Sequence, residues 1–321
     1  MFSKRGTRIL VIVAITLLLV YWAVGELSIR AKDRSFPENV VEVDTAQVVT
    51  IALRQPSDTT VTLQRTSKGW TVGMDERNFV ADPALVQAFL GRFAALRTKR
   101  FVGGGEQVRQ RYSLADTSRI LLEMEMAKGG TTQVGIGMNS FGMGGQDPTT
   151  YLHIPGEEQV YAVEGALRVE AGRNVNEWRP SSLVNGTLED LRRLDFRFPT
   201  DTGYVLLRQG EIWMVDSVVG DKERIERFLT SLLNVSSQRF ADDIQVDGRI
   251  PGYSLTVESE TRPPVVIKVF AVDGNYYATT SDQPGDVRTF DAYRELPRLF
   301  RPRTAYLPLV AVDPHAGHDH P

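Results

Sequence analysis

The sequence has no cysteine. That excludes disulfides, thiolate metal sites and cysteine nucleophiles, and leaves the compartment open. Histidine is nearly as scarce, with four in 321 residues. His153 stands alone in a strand-like stretch, and His315, His318 and His320 crowd the C-terminus beside Asp313 and Asp319. A lone histidine reads as a sheet-surface or core residue, and the three terminal ones as a solvated tail, so no metal ligands are assigned. A charge excess of one sign is also missing: 40 acidic residues face 37 basic ones. Three of the basic ones (Lys4, Arg5, Arg8) precede an apolar run. The remainder is therefore mildly acidic, and no basic stripe suggests a nucleic-acid partner. No Gly-Lys-Ser/Thr follows the glycine-rich stretch near residue 140, so it is not a phosphate loop. No Gly-x-Ser-x-Gly elbow is present. The carboxylate pairs Glu157-Glu158 and Asp242-Asp243 lie in turns with no spacing that converges them, and read as solvated. No catalytic residues and no cofactors are assigned.

One long hydrophobic run is present, Ile9–Val24, which is near the lower end of the ~17–25 residues that cross a bilayer. Lys4, Arg5 and Arg8 before it place the N-terminus in the cytoplasm, and Tyr21 and Trp22 suit the far interface. Residues 1–25 are expected to form an uncleaved transmembrane signal anchor. A cleaved signal peptide ending near Ala23-Val24-Gly25 is the competing reading. Residues 26–46 are a tether, with the following chain expected in the periplasm.

The rest is organised around a unit that occurs twice. Asp82-Pro83 opens an amphipathic stretch carrying Val86, Phe89, Leu90, Phe93 and Leu96. Asp221-Lys222 opens another with Ile225, Phe228, Leu229, Leu232 and Val235. Aspartate at the N-cap and apolar residues at 3.6-residue spacing predict a core helix in each. Each large side chain so buried contributes about 1.5–3 kcal/mol. The spacing between the two is constant at 139 residues from Asp82/Asp221 to Phe101/Phe240. A tryptophan precedes each helix (Trp70, Trp213), and Tyr-Ser-Leu follows each, at 112–114 and 253–255. Around both helices lie β-branched, alternating stretches separated by turn residues, among them 47–53, 60–65, 120–126, 132–136, 150–154 and 159–163 in the first copy. In the second copy they include 194–198, 204–208, 211–215, 265–272 and 275–279, the last two joined by Asp273-Gly274.

The fold class expected is α+β: an N-terminal transmembrane helix, then two tandem copies of an antiparallel sheet-plus-helix module. The first copy is placed at 47–185 and the second at 186–310, with a His-rich tail at 311–321. The second copy is twelve residues shorter after Tyr-Ser-Leu. The glycine-rich segment from Asn139 to Pro148 is the obvious surplus. Asn139, Phe141, Gly142, Met143 and Gly144 are therefore the candidate partner-contact loop, with Phe141 and Met143 exposed at its tip.

The sequence resembles the family known as domain of unknown function 4340. The matching elements are Lys68–Val72, Ala81-Asp82-Pro83 and the helix to Phe101, then Arg111–Leu114, Val134–Gly137 and Glu158–Val163. The resemblance implies a single-pass inner-membrane protein with its soluble part in the periplasm, associated with ABC-transporter or gliding-motility-type components. It implies no catalytic residues. Two functions follow as expectations. The first is a non-enzymatic accessory or scaffold subunit of an inner-membrane complex, with a membrane protein as partner. The second is a periplasmic module binding an envelope polymer, for which Tyr276, Tyr277 and Trp178 are the aromatics to inspect.

Overall fold

The computed structural model describes residues 40–308, apart from 42, 75, 76 and 201. The expected anchor at 1–25 and the His-rich tail at 311–321 lie outside the described residues. Among the described residues no helix is long and apolar enough to cross a membrane.

Two antiparallel sheets dominate. The first contains β1 (Val48–Arg54), β2 (Thr60–Thr66), β3 (Gly69–Met74), β4 (Arg77–Val80), β5 (Thr98–Gly104), β6 (Ile120–Met126), β7 (Thr131–Ser140), β8 (Thr149–His153) and β9 (Gln159–Glu164). The second contains β10 (Leu191–Arg197), β11 (Gly203–Gln209), β12 (Ile212–Val215), β13 (Val218–Val219), β14 (Tyr253–Ser259), β15 (Val265–Val272), β16 (Asn275–Thr280) and β17 (Gln283–Phe290). Their strand orders are β4-β3-β2-β1-β6-β7-β8-β9-β5 and β13-β12-β11-β10-β14-β15-β16-β17. These are one order used twice, which fits the two-module reading. The ninth strand has a vestige in the second sheet: where Phe101 of β5 pairs with Tyr161, Phe240 makes a single bridge to Arg288. The chain also divides into two compact units, one of residues up to Thr62 with Gln87–Gly172, the other of Leu63–Val86 with Arg173 onward.

The register shows where the copies differ. A bulge after Val48 recurs after Leu191, an offset of 191 − 48 = 143. The two cap aspartates are offset by 221 − 82 = 139, because the hairpin after the tryptophan is four residues shorter in the second copy. Val48 pairs with Met126 and Leu191 with Ser259, an offset of 259 − 126 = 133. The bridge partners Tyr161 and Arg288 are offset by 127. The twelve-residue deficit is thus six residues before β14 and seven between β15 and β16, where the offset falls from 133 to 126 (Gly135↔His153 against Lys268↔Thr279), with one regained between β16 and β17, so the glycine-rich loop accounts for little more than half of it.

The same register corrects the Tyr-Ser-Leu correspondence. At an offset of 133, Tyr253 corresponds to Ile120. Tyr253-Ser254-Leu255 begins β14, whereas Tyr112-Ser113-Leu114 follows the short helix Glu106–Arg111 and precedes β6. The two tripeptides resemble each other in sequence and occupy different elements.

The long helices do repeat. Pro83–Ala94 buries Val86, Phe89, Leu90 and Phe93, and Lys222–Leu233 buries Ile225, Phe228, Leu229 and Leu232. Asp82 Oδ1 accepts from the Ala84 N–H at 2.9 Å, and Asp221 Oδ1 from the Arg224 N–H at 3.1 Å. The backbone N–H of each cap donates to the carbonyl of a wholly buried aromatic, Trp178 for Asp82 and Tyr306 for Asp221, both at 2.8 Å. Trp178 is therefore core, and it leaves the set of groove aromatics. Tyr276 and Tyr277 are half-buried on opposite faces of β16, each against a different core cluster.

Both faces of the second sheet are covered. Ile267 and Val269 face the cluster that holds the helix Lys222–Leu233. Phe270 and Val272 face a smaller cluster with Val246, against which Ala241 and Ile244 pack. In the first sheet Tyr151, Val160 and Ala162 meet Leu114, with Val108 of the short helix packed beside them.

Candidate functional site

The expected contact loop is shorter than its sequence suggested. β7 runs on through Ser140, so Asn139 and Ser140 are strand residues paired with Thr150 and Thr149. Asn139 is half-buried, and its Oδ1 accepts from the Thr150 hydroxyl at 2.9 Å. It belongs to the base of the hairpin rather than to its tip. The tip is closed by Gly142 N–H to Gln146 O (2.9 Å) and Gly145 N–H to Gly142 O (3.0 Å). Gly144 has φ +78°, which only glycine adopts at low cost. Phe141 is 58% exposed on this turn. Gly142 and Gly144 shape the turn, and the Met143 side chain lies outside those described.

The scarcest residue type marks a second location. His153 ends β8 opposite Gly135 of β7. Its Nε2–H donates to the Glu157 carbonyl at 2.8 Å, since a carbonyl can only accept. In the neutral ring that leaves Nδ1 as a bare acceptor. Nδ1 is buried and has no hydrogen-bond partner, and the residue is 4% exposed. Burial holds the imidazole below its ordinary pKa, opposed by the bond to Glu157 and reinforced by the positive charges of Arg109 and Arg119.

Those arginines and His153 line a cleft of about 380 Å3, together with Glu106, Asp116 and Glu157. Arg109 bonds Glu106 at 3.0 Å along the short helix, and Arg119 bonds Asp116 at 2.9 Å. The arginine side chains are 23% and 17% exposed, their carboxylate partners 64% and 86%. Hydrogen bonds from Arg109 and Gln110 hold Glu106 below the usual carboxylate range. Exposed i,i+3 pairs of this kind are weak, so the guanidinium edges remain exchangeable.

A third cluster is internal. Arg179 has a fully buried side chain. It bonds Asp242 through two nitrogens (2.7 and 2.9 Å) and Asp286 at 2.7 Å. Phe79 and Phe240 flank its guanidinium, with ring centres at 3.8 and 3.5 Å. Arg288, also buried, bonds Pro180 O at 2.7 Å and Gln283 Oε1. Burial lowers its pKa, offset by Asp286. Asp242, expected in a solvated turn, is instead a structural counter-ion. The sequence reading missed Arg179, Asp286 and Arg288. The available signal was the period-two spacing of Asp286, Arg288 and Phe290, which puts two charges on the inward face of a strand. Every charge in this cluster is spent inside the fold, so it is architecture.

Among the described residues no group of three or more potential ligands is placed to hold a metal. The arrangement is that of a duplicated antiparallel-sheet protein with one long, aspartate-capped helix per copy, a polar cleft and an exposed hairpin tip. A family described as a domain of unknown function (DUF4340) matches residues 74–249. That is more than half of the 321 residues, and the chain belongs to this family. No curated protein and no solved structure matches it.

Proposed function

We propose that the chain is a non-enzymatic, membrane-anchored accessory or scaffold subunit of an inner-membrane complex, with its two sheet modules in the periplasm and an ABC-transporter-type membrane protein as partner. The observation that carries this reading is Phe141. A phenylalanine more than half exposed, on a turn closed by its own backbone hydrogen bonds, costs solvation in the isolated protein. It gains by covering itself with a partner. The corresponding β15–β16 connection in the second copy is the two-residue turn Asp273-Gly274, with both residues at positive φ and no aromatic. The hairpin does not need the longer loop in order to close. The apolar run Ile9–Val24 and the basic residues before it support the anchor and its orientation.

The test replaces residues 141–148 with Asp-Gly, copying the second module, beside Phe141→Ser. Each is compared with wild type in affinity purification from mild-detergent membranes after in-cell crosslinking. A membrane subunit captured by wild type and lost from both variants, with unchanged circular dichroism, is the expected result. Recovery of the protein alone, or of the same subunit from all three, would remove the hairpin from the reading. A periplasm-active reporter fused after Pro321 should be active, and silence there would overturn the topology.

A further inference from the structure

The His153 cleft has a counterpart. In β7 and β8, Gly135 pairs with His153; at the corresponding place in β15 and β16, Lys268 pairs with Thr279. Lys268 and Thr279 line a cleft of about 420 Å3 beneath residues 242–249, and in the first copy Gly135 lies against His153 and Arg119, which line the cleft there. Each cleft lies on the corresponding sheet face, under the segment that follows the β5 position. The cavity is thus a property of the duplicated module, whereas its lining differs. On the strands the first copy has Gly135 and His153 where the second has Lys268 and Thr279, and the segment above supplies Arg109 and Arg119 in the first copy and Arg249 in the second.

We infer that the first copy's cleft is a binding site for a small monoanionic carboxylate that carries neighbouring hydroxyls, a sugar acid being the simplest case. Three features select that chemistry. A guanidinium has five N–H donors, and the exposed Glu106 and Asp116 occupy only part of those on Arg109 and Arg119. A carboxylate matches the remaining fork geometry. His153 Nδ1, an acceptor held in one tautomer by Glu157, lacks a donor, and a hydroxyl supplies one. Arg119 lies beside it over Gly135, so movement of this arginine toward a ligand uncovers the ring nitrogen. Finally, Glu106, Asp116 and Glu157 rim the cleft, and their repulsion disfavours a phosphate dianion more than a single carboxylate. This inference does not depend on which partner the hairpin meets.

The experiment is a titration of the full-length protein in detergent with sodium glucuronate, followed by the imidazole 15N signals of His153 and by calorimetry. Glucose and inorganic phosphate serve as the uncharged and dianionic counterparts. Glucuronate should shift the His153 signals saturably, and more strongly than either counterpart. Arg109→Gln or Arg119→Gln should weaken it roughly tenfold or more, the loss of one charge-assisted contact. Asp116→Asn, at an exposed position that leaves the fold intact, should tighten binding by freeing Arg119. Absence of saturation, an equal response to glucose or phosphate, or weaker binding by Asp116→Asn would each overturn the assignment.

Discussion

The guanidinium of Arg179 lies 3.5 Å from the centre of the Phe240 ring, and its edge carries two carboxylates, Asp242 and Asp286. Phe240 corresponds to Phe101, which is 40% exposed and pairs along β9 in the first copy. The second copy keeps only a single bridge of that strand pairing, and Phe240 there packs on a buried arginine. A desolvated cation is tolerable only with this degree of pairing, since each ion loses several kcal/mol of hydration.

Arg179→Met is therefore expected to cost about 3–5 kcal/mol, because it removes the 2.7 Å partner of the buried Asp286 and leaves it the longer contact to Arg288 at 3.8 Å. Asp242→Asn should cost less, since Asp242 is 18% exposed and Arg179 keeps Asp286. Urea denaturation of the two variants checks the order. Equal effects would mean that the arginine's contribution is packing between two rings.

The paired caps give a symmetric prediction. Asp82→Ala and Asp221→Ala each remove the acceptor of an N-terminal helix N–H and should each cost about 1 kcal/mol, within 0.5–2. Asn at either position should recover most of it. Thermal midpoints of the four single variants provide the comparison.

These helices were legible because a cap aspartate, a 3.6-residue apolar stripe and a repeat at constant spacing all pointed to the same element. The hairpin at Asp273-Gly274 was legible from turn chemistry alone. What escaped was set by tertiary structure. β5 carries Lys99 and Arg100 and two glycines, and becomes a strand through pairing with β9. β17 contains Pro284, Asp286 and Arg288, a poor strand by composition, and is stabilised by the Arg179 cage. Tyr-Ser-Leu misled because three residues recur readily by chance, and only strand register distinguishes an equivalent position from a similar one. Of the contact loop, Phe141 is exposed as expected. Asn139 is not part of the tip, because nothing local marks where β7 stops. His153 reads as a sheet-surface or core residue, and of the two it is core; its cleft depends on Arg109 and Arg119, distant in sequence.

Gly137 tests how tightly the first module is packed. A Cβ there would lie 2.3 Å from Tyr112 O and 2.8 Å from Leu114 Cγ. Tyr112 O already accepts the Met138 N–H at 2.8 Å, so the backbone has no room to retreat. Gly137→Ala should destabilise by about 1–3 kcal/mol through overpacking. Gly129→Ala, in the turn before β7, meets open space and acts only through its φ of +87°, a smaller strain. Denaturant midpoints should separate the two.

The pH dependence follows from His153. Its folded pKa lies below the ordinary value of 6.5, mainly through burial. The unfolded chain therefore binds more protons as pH falls through about 6.5, and the stability that the neutral ring permits is complete above that pH. It is lost as pH falls from there toward the depressed folded value. The thermal midpoint of wild type should drop between about pH 7 and pH 5. In His153→Gln the side-chain amide N–H can still donate to Glu157 O, but the residue has no charge to acquire, and the drop should shrink. Whatever else titrates is common to the two proteins, so the difference between the two curves isolates the histidine. A difference that stays flat through this range would mean that His153 titrates alike in the folded and unfolded chains.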